Sequence, residues 1–538
     1  MPLRPPTNGL PAGVSPTRRQ LLQLATASAT GLGLADRAWA QPRFASDPFK
    51  LGVASGSPTP DSVVLWTRLL QTGLFGGNSL DGQSIPVRWE MAHDAQFTDL
   101  VQSGQVLAVA DLAHSVHVEP TGLAPDRWYF YRFRAGDAVS PTGRTRTFPA
   151  HHTAPERLRI AYASCQRWEH GYFSAYRHMR DENLDAVVFL GDYIYEYPAA
   201  GNAVRLPTGG WVLTLEDYRA RYALHKGETE LQAMHASCPW LVTWDDHEVQ
   251  NDYAGMYAGE NGPPVANFLA RRAAAYQAFY EHMPLRSSVL TRGLAGLSSG
   301  AEMRIYDRIP FGKLATLHLL DDRQYRDRQA CTPGDKPGSS RVNPDHCAIW
   351  EDERRTLLGA TQEQWLDQSL QQASSGWNLI CQQTLFGKRD SKTADVQSLW
   401  NDGWDGYPGA RRRLTESLLK HRVANPVILG GDVHENWVGH VKANYSQPES
   451  EAIGVEFCGT SISSRGGGNA LVPQRLARNP HFIFADGERR GYGVLDITAK
   501  QLTATLRVVD DVTRRDTQIE TLAQFTVEAG QPAVHRTA

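Results

Sequence analysis

Ala186-Val187-Val188-Phe189-Leu190-Gly191-Asp192-Tyr193-Ile194-Tyr195 sets the fold class of this 538-residue chain. Five apolar residues in a row suit a strand buried on both faces, and the Gly-Asp pair turns the chain sharply and exposes a carboxylate. The pattern repeats in both directions. Upstream, Leu158-Arg159-Ile160-Ala161-Tyr162-Ala163 runs into Ser164-Cys165. Downstream, Leu241-Val242-Thr243-Trp244 runs into Asp245-Asp246-His247-Glu248, and Pro426 to Leu429 into Gly430-Gly431-Asp432-Val433-His434. Leu314 to Leu320 and Trp377 to Cys381 are further strand candidates. Helical stretches separate these runs, so residues 155–515 read as one α/β unit.

From 45 to 150 the rhythm differs. Short alternating runs such as Ser62-Val63-Val64-Leu65-Trp66-Thr67 and Trp128-Tyr129-Phe130-Tyr131-Arg132-Phe133 are separated by Gly/Pro/Asp turns, which predicts a small β-sandwich ahead of the α/β unit. A His/Pro-containing linker at 150–156 joins the two, and 516–538 reads as a C-terminal tail. Residues 1–40 read as a targeting segment: Thr17-Arg18-Arg19-Gln20-Leu21-Leu22, a mildly apolar stretch, then Ala38-Trp39-Ala40. This pattern is similar to a twin-arginine export signal, so the twin-arginine machinery is an expected partner and the mature protein is expected to be periplasmic or secreted. No later stretch reaches the roughly 20 apolar residues of a membrane span.

Lys and Arg total 55 against 58 Asp and Glu, which leaves no cationic surface for a stable nucleic-acid partner. Of six cysteines, Cys331 and Cys347 bracket a Pro/Gly/Ser-rich loop and are expected to pair in an oxidising compartment. No CxxC motif occurs, which excludes zinc-ribbon and thioredoxin-like chemistry.

Each strand end on its own is ordinary, since an Asp after a strand commonly caps a helix and a buried Cys commonly just packs. Together, four ends bearing carboxylate, imidazole, thiol and phenol match the donor set of a two-metal site, and open α/β folds place their sites at strand ends.

Gly191-Asp192, Asp245-Asp246-His247-Glu248 and Gly431-Asp432-Val433-His434, in that order, resemble the blocks of the calcineurin-like metallophosphatases. Ser164-Cys165 stands where that superfamily usually has Asp-x-His. With Gly-Asp-x-x-Tyr it points to resemblance with the PhoD-type alkaline phosphatases and phosphodiesterases. Leu320-Asp321-Asp322-Arg323-Gln324-Tyr325-Arg326 and Trp404-Asp405-Gly406-Tyr407 resemble further stretches of that family. The resemblance implies a core of two packed mixed β-sheets flanked by helices. It also implies Fe3+ held by Cys165, Asp192, Tyr195 and His434 beside Ca2+ on Asp246 and Asp432, with Asp192 bridging and Asp245 and Asn251 in reserve.

The implied activity is hydrolysis of phosphate mono- or diesters by metal-activated water, with His247 as proton donor. Arginines are expected at the rim to grip the phosphate; Arg219 and Arg323 are candidates and Arg221 a third. Two other readings stand beside this one. A purple acid phosphatase-like iron/zinc enzyme would carry Gly-His-x-His where this chain has Gly431-Asp432-Val433-His434. A non-catalytic phosphate-binding protein on the same fold would have lost a cluster, and none is lost.

Overall fold

The computed structural model describes residues 43–70, 80, 82–207, 209–290, 302–391, 396–447 and 449–538. The expected export signal, 1–40, lies outside the described residues. Among those described, no helix is long and apolar enough to cross a membrane.

Two large sheets face each other. Across the first, the strands are ordered Val534–Arg536, Ile519–Glu528, Gln501–Val509, Arg490–Thr498, Arg157–Ala163, Ala186–Leu190, Trp240–Thr243, Val53–Gly56, Val64–Arg68 and Ser115–Val118. Across the second they are Asp307–Phe311, Ala315–Leu319, Trp377–Cys381, Pro426–Gly430, Ala452–Cys458, Asn436–Lys442 and Phe482–Asp486. The centre of each is parallel: 157–163, 186–190 and 240–243 in the first, and 315–319, 377–381, 426–430 and 452–458 in the second. Parallel neighbours need long crossovers, and helices Ala175–Arg180, Leu215–Lys226, Thr229–His235, Ala360–Gln371 and Pro408–Lys420 lie within them.

Side-chain alternation makes the layers. In 186–190, Val187 and Phe189 pack against Tyr176, Met179 and Leu231 on the helical side. Ala186, Val188 and Leu190 meet Leu317, Leu379 and Val427 of the facing sheet. Ile380 and Ile428 point the other way, onto Leu366 and Leu414 of the outer helices. The period of two, applied to strands apolar on both faces, gives helices, sheet, sheet, helices, with the main core between the sheets. Helix Leu215–Lys226 starts where Thr214 and Asp217 close a capping box, a feature worth about 1 kcal/mol.

Two boundaries expected from the sequence change. The N-terminal β region is not a self-contained sandwich. One layer is a five-stranded sheet, but the opposing strands Val53–Gly56, Val64–Arg68 and Ser115–Val118 extend the catalytic sheet, with Val87, Tyr131 and Phe133 packed between the layers. The junction is the parallel pairing of Gly56 with Trp240, where a Cβ on Gly56 would sit 2.6 Å from Trp240 O. The supposed tail also belongs to the core: Ile519–Glu528 and Val534–Arg536 form one edge of the first sheet, burying Ala523, Phe525, Val527 and Val534. Cys331 and Cys347 are disulfide-bonded with Cα atoms 5.9 Å apart, as expected.

Candidate metal centre

Every central strand ends on the same side, and the residues that follow converge. Asp192 and Tyr193 after the second strand, and Asp245 after the third, are drawn together by one carboxylate. Glu248 accepts from the backbone N–H groups of Asp192 at 3.1 Å, Tyr193 at 2.5 Å and Asp245 at 2.9 Å. Burial pushes its carboxyl up to about 7 against those three donors. The loops approach so closely that a Cβ on Gly191 would lie 2.5 Å from Asp245 Cβ, and one on Gly431 would lie 2.4 Å from Ser164 Oγ. That contact is the physical reason for glycine before both aspartates.

Cys165, Asp192, Asp432 and His434 all adopt left-handed backbone, with φ of 58°, 58°, 63° and 55°. Such conformations cost about 1–3 kcal/mol each in non-glycine residues and cluster at functional sites. Here they bend the chain immediately after a strand. The donor atoms of Cys165, Asp192 and His434 lie within 4.8 Å of one another, as do those of Asp192, Asp245, Asp246 and Asp432, and those of Asp192, Asp246 and His247. The Tyr195 hydroxyl donates to Asp192 Oδ2 at 2.8 Å and lies 3.1 Å from His434 Nε2 and 2.8 Å from Ser464 Oγ. His434 Nδ1 is fixed on Arg465 O at 2.9 Å, and Asp432 Oδ2 accepts from Thr384 Oγ1 at 2.7 Å. Asp432 and His434 are half-buried and form the open edge; Cys165, Asp192 and Tyr195 form the floor.

Asp192 Oδ1 and Asp245 Oδ2 are buried with no hydrogen-bond partner among the described residues. At 4.8 Å and an effective dielectric of about 20, each carboxylate pair repels by about 3 kcal/mol, so the six pairs among four ionised aspartates approach about 20 kcal/mol. That exceeds the total stability of about 5–15 kcal/mol of an ordinary fold. Protons or cations must therefore neutralise the cluster. Burial pushes Asp192 and Asp245 well above the carboxylate range, and Asp432 up to about 6. Asp246 is held below that range, although burial opposes it, because Arg323, His247 and the Asp252 N–H stabilise its charge. Burial likewise raises the Cys165 thiol and Tyr195 phenol well above their usual values. The orphaned oxygens and the mixed O, N and S donor set fit bound cations that replace these protons.

His247 stands beside this cluster. Its Nδ1 is 2.7 Å from Glu196 Oε2, and its ring lies 4.1 Å from that of Tyr195 and 5.1 Å from that of Tyr197. Burial opposes a charge there, but Glu196, Asp192 and Asp246 outweigh it and raise the imidazole well above its usual value. His170, across the opening, is held down to about 3 by burial and by Arg167 and Arg465.

The two arginines expected at the rim are elsewhere engaged. Arg219 forms a bidentate pair with buried Glu281, at 2.6 and 2.7 Å, in the seam with the N-terminal strands. Arg323 is buried inside the carboxylate cluster, bonded to Asp245 and, at 2.6 Å, to Asp402. Its charge is used on aspartates. Arg221 donates to the carbonyls of Tyr195 and Tyr197. Of the two reserves, Asp245 joins the cluster, whereas Asn251 gives its backbone N–H to Glu196 at 2.8 Å. Sequence reasoning passed over Glu196, Asp252, Asp402 and Ser464. Asp252 and Asp402 form a further carboxylate group with Asp246, within 4.8 Å. Glu248, by contrast, was visible in the Asp-Asp-His-Glu block.

The chain is 43% identical over 507 residues to alkaline phosphatase D of Bacillus subtilis (strain 168), a match covering 92% of this chain and 84% of that protein. A solved structure of PhoD superposes with a TM-score of 0.85 at 42% identity, over 92% of this chain and 93% of that one. Fold and site thus define a phosphoesterase, a hydrolase of phosphoric ester bonds. The chain belongs to the PhoD-like phosphatase family: residues 160–506 match its phosphatase domain and residues 34–149 its N-terminal domain.

Proposed function

We propose that this phosphoesterase is exported and acts through ferric iron and calcium. Cys165, Asp192, Tyr195 and His434 would hold the iron, and Asp246 and Asp432 the calcium, with Asp192 common to both. The supporting observation is the convergence of Asp192, Asp245, Asp246 and Asp432 within 4.8 Å, with a buried oxygen of Asp192 unpartnered. Thiolate, phenolate and imidazole suit a trivalent transition metal; carboxylates alone suit a hard, flexibly coordinated cation. When bound, such cations supply Lewis-acid charge for the phosphoryl oxygens and acidify the attacking water.

The chain's own groups divide the remaining work. The cluster places negative charge where cations are needed, and the left-handed turns hold its geometry. His247, its Nδ1 on Glu196, has Nε2 without a partner among the described residues, so it can give a proton to a phosphoryl or leaving-group oxygen. Monoesters and diesters both fit this chemistry.

Elemental analysis of the purified protein, alongside rates on a matched monoester and diester, tests the proposal. Iron, calcium and a visible tyrosinate absorption are expected. A colourless, fully active protein would remove Tyr195 from the ligand set, and zinc in place of calcium would favour the purple acid phosphatase-like reading. Export is tested by fractionation: Arg18→Lys with Arg19→Lys should retain the protein in the cytoplasm.

A further inference from the structure

The arginines most conspicuous in the sequence are committed to protein groups: Arg219 to Glu281, Arg221 to three backbone carbonyls, and Arg323 to Asp245 and Asp402. Arg167 is placed differently. It lies two residues past Cys165, and its backbone N–H donates to Ser464 Oγ at 3.1 Å, the same hydroxyl that lies 2.8 Å from the Tyr195 phenol. Its Nε is fixed on Oε1 of buried Glu169 at 2.7 Å. Its guanidinium carbon lies 5.5 Å from the ring centroid of Tyr195 and 4.8 Å from that of Tyr197, the two rings that also flank His247. Neither Nη atom bonds any described residue. With Nε anchored, the free edge of the guanidinium is a two-pronged donor, the shape that matches two oxygens of one phosphoryl group. Arg465 stands on the same lip: its N–H donates to His170 Nδ1 at 3.2 Å and its carbonyl holds His434.

We propose that Arg167 is the phosphate clamp of this site. Its two Nη groups bind non-bridging oxygens of the phosphoryl group, and Glu169 holds the guanidinium in aim. This rests on the phosphoesterase reading and adds a substrate-touching residue to it. Ground-state phosphate uses the clamp as much as the transition state does, so the effect falls mainly on KM and on product affinity.

Arg167→Met and Arg167→Lys, purified as holoenzymes, test this with inorganic phosphate as the calorimetric probe. Arg167→Met should weaken phosphate binding by about 10–100-fold, the size of a lost charge-assisted fork, and raise KM similarly. Metal content and visible spectrum should be unchanged. Arg167→Lys should recover part of the affinity, as a point charge without the fork. Unaltered phosphate affinity in Arg167→Met overturns the proposal. Loss of metal in both variants also overturns it, because Arg167 would then be a support for Tyr195. If the wild-type holoenzyme neither binds phosphate nor cleaves esters, the phosphoesterase reading itself fails, a result distinct from either.

Discussion

Two regions bury charge, and they do it in opposite ways. In the seam between the N-terminal strands and the catalytic helices, charges other than Lys226 meet protein partners. Glu281 receives both prongs of Arg219 and the amide of Gln277, its backbone carbonyl accepts Trp66 Nε1, and Arg68 contacts His282 and Ala113 O. At the strand ends, Arg323 is shared among Asp245, Asp246, Asp322 and Asp402, and buried oxygens of Asp192 and Asp245 have no partner among the described residues. Glu281, Arg219 and Arg68 of the seam are satisfied by protein groups; at the strand ends carboxylate oxygens are left for something else to complete. Removing a charge should therefore destabilise the first region and relieve the second.

The sharpest test is Asp192→Asn. Turnover should fall by about 10³-fold or more, beyond the loss of one electrostatic donor, because the carboxylate proposed to serve both cation positions is gone. At a pH high enough to ionise Asp192, the metal-free variant should nonetheless melt above metal-free wild type, since a neutral side chain then relieves the repulsion. A retained rate, or a lower metal-free melting temperature, would place Asp192 with the structural charges.

Mild chelation should slow the holoenzyme by about 10²-fold or more, with calcium restoring the rate without added iron. In the proposed arrangement calcium would have fewer and harder protein donors than iron, so it should leave first. Recovery with zinc alone would break the assignment of Asp246 and Asp432.

Glu281→Gln addresses the other side of the contrast. Leaving half-buried Arg219 without its anion should cost about 3 kcal/mol in chemical denaturation, with kcat per folded molecule unchanged. A neutral effect would mean the seam is no better satisfied than the strand ends.

Lys226 is the exception within the seam, and the smallest effect is expected there. It is fully buried, faces the rings of Trp66 at 4.2 Å and Tyr193 at 5.6 Å, and desolvation lowers its pKa to about 7. Unfolded lysine titrates near 10.4. Between about pH 7 and 10.4 the unfolded state binds more protons, so stability rises with pH across that window. Lys226→Met should gain about 1–3 kcal/mol at pH 7, net of the lost cation–π contact, and the gain should shrink toward pH 10. A pH-independent difference would show that the ammonium is hydrated.

These contrasts mark what reading residues in order can achieve. Arg219 and Arg323 look alike in sequence, each a cation near a candidate site; only their packing shows that one holds the seam and the other neutralises aspartates. Glu248 stands in a recognised block, but its task of binding three N–H groups from two loops is invisible until those loops meet. Residues 519–536 were misread because short alternating runs at a chain end carry no sign of which sheet edge they will join.

The sequence by itself determined the strands, their order along the chain and the donor residues at their ends, because apolar runs, Gly-Asp turns and Asp-Asp-His clusters are local chemistry. It also determined the disulfide loop. Tertiary structure decided which carboxylates lie within 4.8 Å, which arginines are consumed by protein groups, and that Arg167 remains open above Tyr195. Those properties depend on distances between segments up to 300 residues apart, such as Cys165 and Ser464, whose Oγ donates to the Cys165 carbonyl across 299 positions. Such distances are set by the packing of two sheets and by no single stretch of chain.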